Sequence, residues 1–296
     1  MPAFSRFRQA SPSRPDRDRP PLERVVVLIP TYNERENLPL IAARIRAAVP
    51  ECDVLVLEDN SPDGTGEVAD RLAAEDPKIQ VLHRAGKEGL GKAYLAGFEW
   101  ALERGYDAVV EIDADGSHRP EHLPALLAAA ENADVVIGSR WVPGGSVVNW
   151  PAHRKALSVY GNLYISVLLG MPVRDATAGF RVYRTEALRA MGLERVESHG
   201  YCFQTDLTWK AVKAGLRIVE VPIMFVEREI GDSKMSGDIF RESLLNVTSW
   251  GVKYRAEQAR SWLRRTSHSA SASASGDPAG PRRRRGRRGR WQSLDG

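Results

Sequence analysis

The stretch YDAVVEIDADGSHRPEHL, residues 106–123, places an acidic loop directly after an apolar strand. The apolar run 108–110 leads through Ile112 into Asp113 and Asp115. Two carboxylates this close repel each other, and each of them resists leaving water. The arrangement therefore predicts that a positive charge meets Asp113 and Asp115 where the strand ends.

Apolar runs of this kind alternate with helical patterns throughout residues 23–140. Runs that are continuously apolar indicate strands that are covered on both faces, as in a mostly parallel sheet. The predicted fold class is therefore α/β, with a mostly parallel central sheet flanked by helices. The predicted strands are RVVVLIP (24–30), DVLVLED (53–59), IQVLHR (79–84), DAVVEIDAD (107–115) and ADVVIGSR (133–140).

Polar segments follow three of these strands. Open parallel sheets bind their ligands beyond the carboxyl ends of the strands. The segments there read PTYNE (30–34), EDNSPDGT (58–65) and DADGSH (113–118). Glu34 and Asp59 are placed to hydrogen-bond the base or ribose of a nucleotide, with an ordinary polar loop as the alternative.

The pattern changes after Arg140. A different order of helices and strands follows, which ends in a long amphipathic helix. The predicted elements are a helix over 153–170, a strand at GFRVYR (179–184), a helix over 202–215, a single strand at RIVEVPIMFVER (217–228) and a helix over 239–264.

These elements define one domain between two tails. Residues 1–22 are rich in Pro and Arg, and residues 266–296 are low in complexity and then polybasic. Such segments bury too little apolar surface to fold, so both are predicted to be disordered. Residues 23–265 are predicted to form the domain, with halves 23–140 and 141–265.

The charge of the chain is distributed unevenly. The formal net charge of the whole chain is +4, but residues 1–22 carry +3 and residues 261–296 carry +7, which leaves −6 for residues 23–260. An acidic central part argues against a nucleic-acid-binding fold, so no nucleic acid partner is expected.

Cysteine content and apolar stretches bear on the compartment. Cys52 and Cys202 are too few for a disulfide framework, which suits a reducing cytoplasm. No secretory signal is recognisable, and LYISVLLGMPV (163–173) is shorter than the ~20 apolar residues of a membrane span. The expected location is cytoplasmic.

Asp113 and Asp115 form a candidate metal site. Mg²⁺ and Mn²⁺ prefer oxygen ligands and can take the rest of their shell from phosphates and water. The alternative is that one Asp caps the helix that begins near Pro120. His118 and His122 lack the zinc-protease spacing and are expected to pack.

Four cations near predicted strand or loop ends complete the candidate site. Each alone would more often be a solvated surface charge than a ligand, but together they suit a ligand with several phosphates. The four are Arg140, Arg154, Arg228 and Lys234.

These motifs, in this order, resemble the dolichol-phosphate mannosyltransferases, called polyprenol monophosphomannose synthases in bacteria, which belong to glycosyltransferase family 2. The resemblance covers residues 24 to about 255 and implies the GT-A fold. It rests on VVLIPTYNERENL, EDNSPDGT, GLGKAYLAGF, DADGSHRPE, GSRW, DATAGFRVYR, GYCFQTDL, VPIMFVER and GDSKMS.

The resemblance implies transfer of mannose from GDP-mannose to a polyprenyl phosphate, with inversion, helped by Mg²⁺ or Mn²⁺. The nucleoside would lie among Pro30, Tyr32, Glu34, Leu57 and Asp59. The diphosphate and metal would lie at Asp113, Ala114 and Asp115, with Ser117 near the same ion.

The resemblance also assigns the cations. Arg140, Arg228 and Lys234 would bind the phosphates of the donor and the acceptor, and Arg140 would join Asp113 and Asp115 as a catalytic residue. Arg154 and Ser158 would bind the acceptor phosphate, together with Arg140.

A lipid acceptor implies contact with a membrane surface or an integral membrane partner, peripherally at the cytoplasmic face. The 239–264 helix and residues 157–171 are candidates for that contact, with core packing as the alternative. Two other functions stay open: transfer of another sugar, such as glucose from UDP-glucose, and a nucleic-acid or scaffold role of the Arg-rich tail.

Overall fold

A computed structural model describes residues 19–193, 201–228 and 245–256. The chain divides into two units, Met1–Val252 and Lys253–Gly296. Of the second unit only residues 253–256 are described, and they are helical. Both predicted tails fall almost entirely outside the described residues, as do residues 239–244 and 257–264 of the predicted C-terminal helix. The domain boundaries at 23 and 265 therefore stay predictions.

Within the described residues, nine strands form two sheets. Seven of them make the central sheet, in the order β3-β2-β1-β4-β7-β5-β8, and β6 and β9 make a second sheet. The strands are β1 (Val25–Thr31), β2 (Asp53–Glu58), β3 (Ile79–His83), β4 (Ala108–Glu111), β5 (Val135–Ser139), β6 (Ser146–Val148), β7 (Arg181–Arg184), β8 (Ile218–Pro222) and β9 (Met224–Val226).

The central sheet is mostly parallel, as predicted. Strand β1 pairs in parallel with β2 and β4, and β5 pairs in parallel with β8. Among the strands described for this sheet, β7 alone runs antiparallel, between β4 and β5. Residues from both predicted halves thus share one sheet, because β7 and β8 lie beyond Arg140.

Helices cover both faces of this sheet, which explains the continuously apolar strands. One face carries α1, α2 and α4, and the other carries α3, α6 and α7. The helices are α1 (Asn37–Ala48), α2 (Thr65–Glu75), α3 (Leu90–Glu103), α4 (Leu123–Ala130), α5 (Ala152–Leu169), α6 (Thr185–Met191) and α7 (Tyr201–Lys213). Residues 245–252 are also helical and are called α8 below.

Helix α5 confirms the amphipathic helix predicted over 153–170. It begins after Pro151, whose fixed φ suits a helix start, and it ends at Gly170. Gly170 has a φ of 67°, the left-handed conformation that commonly closes a helix and that glycine adopts without steric cost.

Two predicted strands have other bounds. The single strand predicted over 217–228 is two strands, β8 and β9, which belong to different sheets. The break falls at Pro222 and Ile223, where proline offers no backbone donor and Ile223 turns into the core. The strand predicted over 107–115 ends already at Glu111, so both aspartates lie in the loop.

Candidate active site

The acidic loop follows β4 and is fixed by a turn at Asp115. Gly116 has a φ of 74°, which the loop needs in order to reverse direction. Asp115 Oδ1 accepts a hydrogen bond of 3.0 Å from the backbone nitrogen of Ser117. Arg228 Nη2 lies 2.9 Å from Asp115 Oδ2, so Arg228 supplies a positive charge that the sequence required.

The two aspartates differ in their pKa. Burial alone would raise the pKa of Asp115, but the hydrogen bonds from Ser117 and the charge of Arg228 hold it below its ordinary value. Removal from water raises the pKa of Asp113, the His118 ring opposes this, and the negative charge of Asp115 adds to it. Asp113 therefore has the greater need of a further cation.

His118 packs in the core, as predicted, but it also contacts the site. Its ring lies against those of Phe180 and Phe225, with centroids 5.4 and 5.3 Å away. Its Nδ1 lies 3.3 Å from Asp113 Oδ2. His122 accepts a hydrogen bond from the backbone nitrogen of Met224 and so supports β9.

The loop fits a divalent cation better than it fits a helix cap. The helical turn Pro120–His122 has Arg119 at its N-cap and no side-chain cap, so the capping alternative is wrong. Within the described ranges, no group of three or more His, Cys, Asp or Glu side chains could hold a metal. An ion on Asp113 and Asp115, with Ser117 as the third predicted ligand, would thus take the rest of its ligands from a substrate and water, as at an open catalytic site.

The predicted nucleoside residues lie at neighbouring strand ends. Pro30 and Leu57 are paired in register, and Asp59 follows β2 directly. Arg84, which sequence reasoning missed, forms an ion pair with Asp59. Burial raises the pKa of Asp59, and Arg84 counteracts this. The side chain of Leu57 is fully buried in the core, so it does not reach the surface as Pro30 and Tyr32 do.

Tyr32 and Glu34 lie in the loop between β1 and α1. The ammonium group of Lys87 stands 4.3 Å from the centre of the Tyr32 ring, which is a cation–π contact. Glu34 accepts a hydrogen bond of 2.8 Å from Asn37, and its charge raises the pKa of Asp113. The nucleoside residues and the acidic loop thus lie close enough to interact.

Arg140 follows β5 and is held by Asp175. The backbone nitrogen, Nε and Nη2 of Arg140 donate to the Asp175 carboxylate at 2.9, 2.8 and 2.7 Å. Arg140 is 8% exposed and Asp175 is fully buried. Burial would raise the pKa of Asp175, but the Arg140 charge holds it below its ordinary value. The sequence offered no sign of this pairing across 35 residues.

Arg154 lies in the first turn of α5 and pairs with Glu227. Its guanidinium stacks on Trp150, 4.2 Å from the ring centre. The Arg140 guanidinium lies 5.6 Å from the same ring, so one indole stands beside both arginines. Ser158 lies one turn further along α5 and is partly exposed.

Arg228 and Lys234 were predicted together. Arg228 reaches Asp115, whereas Lys234 and the GDSKMS loop lie outside the described residues. Glu227 and Asp115 line one cavity of about 300 Å³, beside α1 and the turn at Pro120. Through the ion pairs Glu227–Arg154 and Arg228–Asp115, residues 227 and 228 connect the acidic loop to α5.

Helix α5 exposes an apolar surface, called the α5 face below. It consists of Leu157, Val159, Tyr160, Leu163, Tyr164 and Val167, each between 38% and 69% exposed. Tyr164 shares a 2.8 Å hydrogen bond with Thr248 of α8, whose Leu245 and Val252 are also exposed. The core-packing alternative is therefore wrong for this side of α5. In the part of the chain that the structure describes, no helix is long and apolar enough to cross a membrane.

Comparison with known proteins identifies the family. The sequence model described as Glycosyl transferase family 2 matches residues 26–192, which hold the acidic loop and both neighbouring strand ends. The chain belongs to glycosyltransferase family 2. The match confirms the resemblance to this family that the motifs indicated. The protein is therefore an enzyme of the same type as the two curated relatives named below.

Two curated relatives are similar in sequence to this protein over most of its length. Undecaprenyl-phosphate mannosyltransferase of Micrococcus luteus is 60% identical over 240 residues, covering 81% of this chain and 99% of that protein. Polyprenol monophosphomannose synthase of Mycolicibacterium smegmatis is 55% identical over 246 residues, covering 82% of this chain and 93% of that protein.

A solved structure shares the fold. Glucosyl-3-phosphoglycerate synthase from Mycobacterium tuberculosis, in complex with Mn²⁺, UDP-glucose and phosphoglyceric acid, superposes with a TM-score of 0.58 at 19% identity. The match covers 77% of this chain and 80% of that one. The predicted GT-A fold is confirmed.

Proposed function

We propose that this family 2 enzyme transfers mannose from GDP-mannose to the phosphate of a polyprenyl phosphate, with inversion at the sugar. The two curated relatives carry the names of an undecaprenyl-phosphate mannosyltransferase and a polyprenol monophosphomannose synthase, which supports the acceptor class and the sugar. Guanosine diphosphate as the leaving group is the finer part of the proposal.

One observation carries the proposal. Helix α5 starts with a cation, Arg154, and continues as the exposed α5 face. A polyprenyl phosphate has the same order, an anionic head followed by an apolar chain. The Arg154 end of α5 adjoins the acidic loop through Glu227 and Arg228, so the acceptor phosphate would lie beside the donor diphosphate.

The donor would be held from two sides. The nucleoside would lie among Pro30, Tyr32, Glu34 and Asp59, and the diphosphate would approach the acidic loop. A neighbouring structure in this fold carries Mn²⁺, which supports a divalent cation, Mg²⁺ or Mn²⁺, for this chain. When bound, that cation would supply positive charge to the diphosphate and to the departing nucleotide.

The remaining chemistry belongs to the protein side chains. A phosphate monoester is ionised at neutral pH, so the acceptor needs no general base. The task of the site is to hold two anions together against their repulsion. Arg140, fixed by Asp175, and Arg154, stacked on Trp150, would orient the acceptor phosphate, while Arg228 would neutralise the diphosphate.

The α5 face would dock on a membrane surface. An apolar helix face flanked by basic residues lies in the interface of a bilayer, and His153, Arg154 and Lys155 open this helix. The acceptor could then enter from the bilayer without leaving it. The cytoplasmic side of that membrane follows from the expected location of the chain.

A transfer assay tests the proposal. The enzyme is incubated with Mn²⁺, a short polyprenyl phosphate and either GDP-mannose or UDP-glucose, and the lipid product and the free nucleotide are measured. Mannolipid with GDP in equal amount is the expected result. Product from UDP-glucose alone would replace the donor, and no glycolipid with either donor would remove the proposed reaction.

A further inference from the structure

Two consecutive residues, Glu227 and Arg228, form ion pairs in two different parts of the candidate site. Glu227 forms an ion pair with Arg154 of α5, and Arg228 forms an ion pair with Asp115 of the acidic loop. Under the proposed function, Arg154 binds an anion, the acceptor phosphate, and Asp115 binds a cation. In the structure the Glu227 carboxylate takes the place of the anion on Arg154, and the Arg228 guanidinium takes the place of the cation on Asp115.

The backbone at this point is fixed. The nitrogen of Val226 donates to the carbonyl of Ser117 at 3.1 Å, and the nitrogen of Glu227 donates to the carbonyl of Val148 at 3.3 Å. Residues 226 and 227 are therefore tied to the acidic loop on one side and to β6 on the other. An exchange of ion-pair partners requires only that the side chains of Glu227 and Arg228 change rotamer.

The Glu227 pair is of the kind that can exchange. The Arg154 and Glu227 side chains are 29% and 28% exposed, so water screens their attraction. The neighbouring Arg140–Asp175 pair is buried, at 8% and 0%, and breaking it would leave an unpaired charge in the core. Of the two arginines beside Trp150, Arg154 is therefore the one that can change its partner.

We propose that Glu227 is a positioning residue that occupies the place of the acceptor phosphate on Arg154 until the donor side is loaded. The inference rests on the proposed function. A carboxylate and a phosphate bind a guanidinium through the same charge-assisted hydrogen bonds, so the two exclude each other. Arg228 likewise occupies the place of the cation on Asp115.

The two ion pairs are coupled because Glu227 and Arg228 are adjacent. The Arg228 guanidinium would leave Asp115 when a cation binds there, and its charge would then lie near Glu227. Glu227 would share its carboxylate between two guanidiniums, so its hold on Arg154 would weaken and the acceptor phosphate could compete for that arginine. Acceptor binding thus becomes tighter after the donor and its cation are in place, which favours an ordered reaction and protects the donor site from binding the lipid first.

The first test measures binding without turnover. Farnesyl phosphate, a short polyprenyl phosphate, is titrated by calorimetry into the wild type and into Glu227→Gln, with neither metal nor nucleotide. The variant keeps the shape of the side chain and removes its charge, so it should bind about fivefold more tightly or better, the lower end of typical coupling between sites. Equal or weaker binding would overturn the proposal.

A matched control is available on the same cavity. Glu121 lines the cavity with Glu227, but its ion pair, 2.9 Å long, is with Arg44 of α1 rather than with Arg154 or Arg228. Glu121→Gln should leave the affinity for farnesyl phosphate unchanged. The gain in Glu227→Gln should also vanish when Arg154 is changed to Ala, because the effect acts through that guanidinium. A gain that persists without Arg154 would be general repulsion and would contradict the proposal.

The second test measures the coupling. Mn²⁺ and GDP, which form no product with the lipid, are added before farnesyl phosphate. In the wild type they should tighten lipid binding several-fold, and in Glu227→Gln they should have almost no further effect. Equal tightening in both proteins would overturn the coupling. Failure of the proposed function is distinguishable, because it appears as an absence of mannolipid in the wild-type transfer assay, whatever the affinities are.

Discussion

Arg140 donates three hydrogen bonds to Asp175, one from its backbone nitrogen and two from its guanidinium. The pair connects the end of β5 to the segment before β7, and it fixes the direction of the arginine before any ligand arrives. An arginine oriented in advance loses little freedom when an anion binds. The pair is therefore a support of the site as well as of the fold.

Asp175→Asn should destabilise the protein, because it leaves the buried Arg140 charge without its partner. The expected loss in the free energy of unfolding is on the order of 3–5 kcal/mol, as for other broken buried pairs. Urea unfolding at pH 7 measures it. Asp70→Asn, at an exposed carboxylate paired with His83, is the control and should change stability little. A loss for Asp175→Asn no larger than that of the control would contradict the role of the pair.

The same pair makes stability depend on pH in a definite direction. The folded pKa of Asp175 is below its ordinary value, so the ionised form stabilises the fold above the unfolded pKa of about 3.8. This contribution is lost as the pH falls through the lowered folded pKa. The difference in unfolding free energy between wild type and Asp175→Asn should therefore shrink below about pH 4. A constant difference down to pH 3 would exclude the linkage.

Asp115→Asn should abolish transfer while the fold persists. The change removes a negative charge that the proposed cation needs, and it weakens the hold on Arg228. Transfer with GDP-mannose, Mn²⁺ and a short polyprenyl phosphate is measured beside a circular dichroism spectrum. A residual rate above about a tenth of wild type, which is ~1.4 kcal/mol of barrier, would refute the metal assignment.

Arg228→Met should separate metal binding from catalysis. Without the guanidinium on Asp115, Mn²⁺ alone should bind several-fold more tightly, as measured by electron paramagnetic resonance of the free ion. Transfer should nevertheless fall by about 10²–10³ in kcat/KM, because a charge that stabilises the diphosphate is lost. Arg119→Met is the control, because the Arg119 side chain contacts Met224 rather than Asp115. Unchanged Mn²⁺ affinity would mean that Arg228 does not compete with the ion.

Charge on the α5 face should weaken membrane binding. Tyr160→Glu combined with Val167→Glu places two carboxylates on residues that are 69% and 55% exposed, so the fold should tolerate them. Burial of such side chains is worth about 1.5–3 kcal/mol each, so cosedimentation with anionic vesicles should fall more than tenfold. Leu40→Glu, an exposed leucine of α1, should bind like the wild type. Equal binding by all three proteins would exclude the α5 face as the docking surface.

Local patterns predicted most of the fold. The apolar runs located β1 to β5, and helix periodicity located α5 and α7 within a few residues, because those signals depend on neighbours in the chain. The position of β7 between β4 and β5 could not be read, since strand pairing is a tertiary choice. The switch from β8 to β9 had a signal in Pro222, although the apolar residues around it read as one strand.

The site was predicted in part for the same reason. Asp59, Asp113 and Asp115 stand at strand ends, where topology brings them together. The partners Asp175, Glu227 and Arg84 were missed, because their ion pairs span 35, 73 and 25 residues and have no local pattern. A half-buried arginine favours a carboxylate partner, but only the fold says which one. The fully buried Arg181 instead donates to backbone carbonyls and hydroxyl groups.

The antiparallel strand β7 also determines when this sheet can close during synthesis. In the part of the chain that the structure describes, the partners of strand β5 are β7 and β8, and its residues Val135, Val136 and Ile137 are fully buried in the finished protein. A chain growing from its N-terminus therefore carries an apolar strand without neighbours until residues 181–184 leave the ribosome. Exposed strands of this kind are where nascent chains associate wrongly, so we expect the growing chain to be prone to misassociation while residues 140–184 are synthesised.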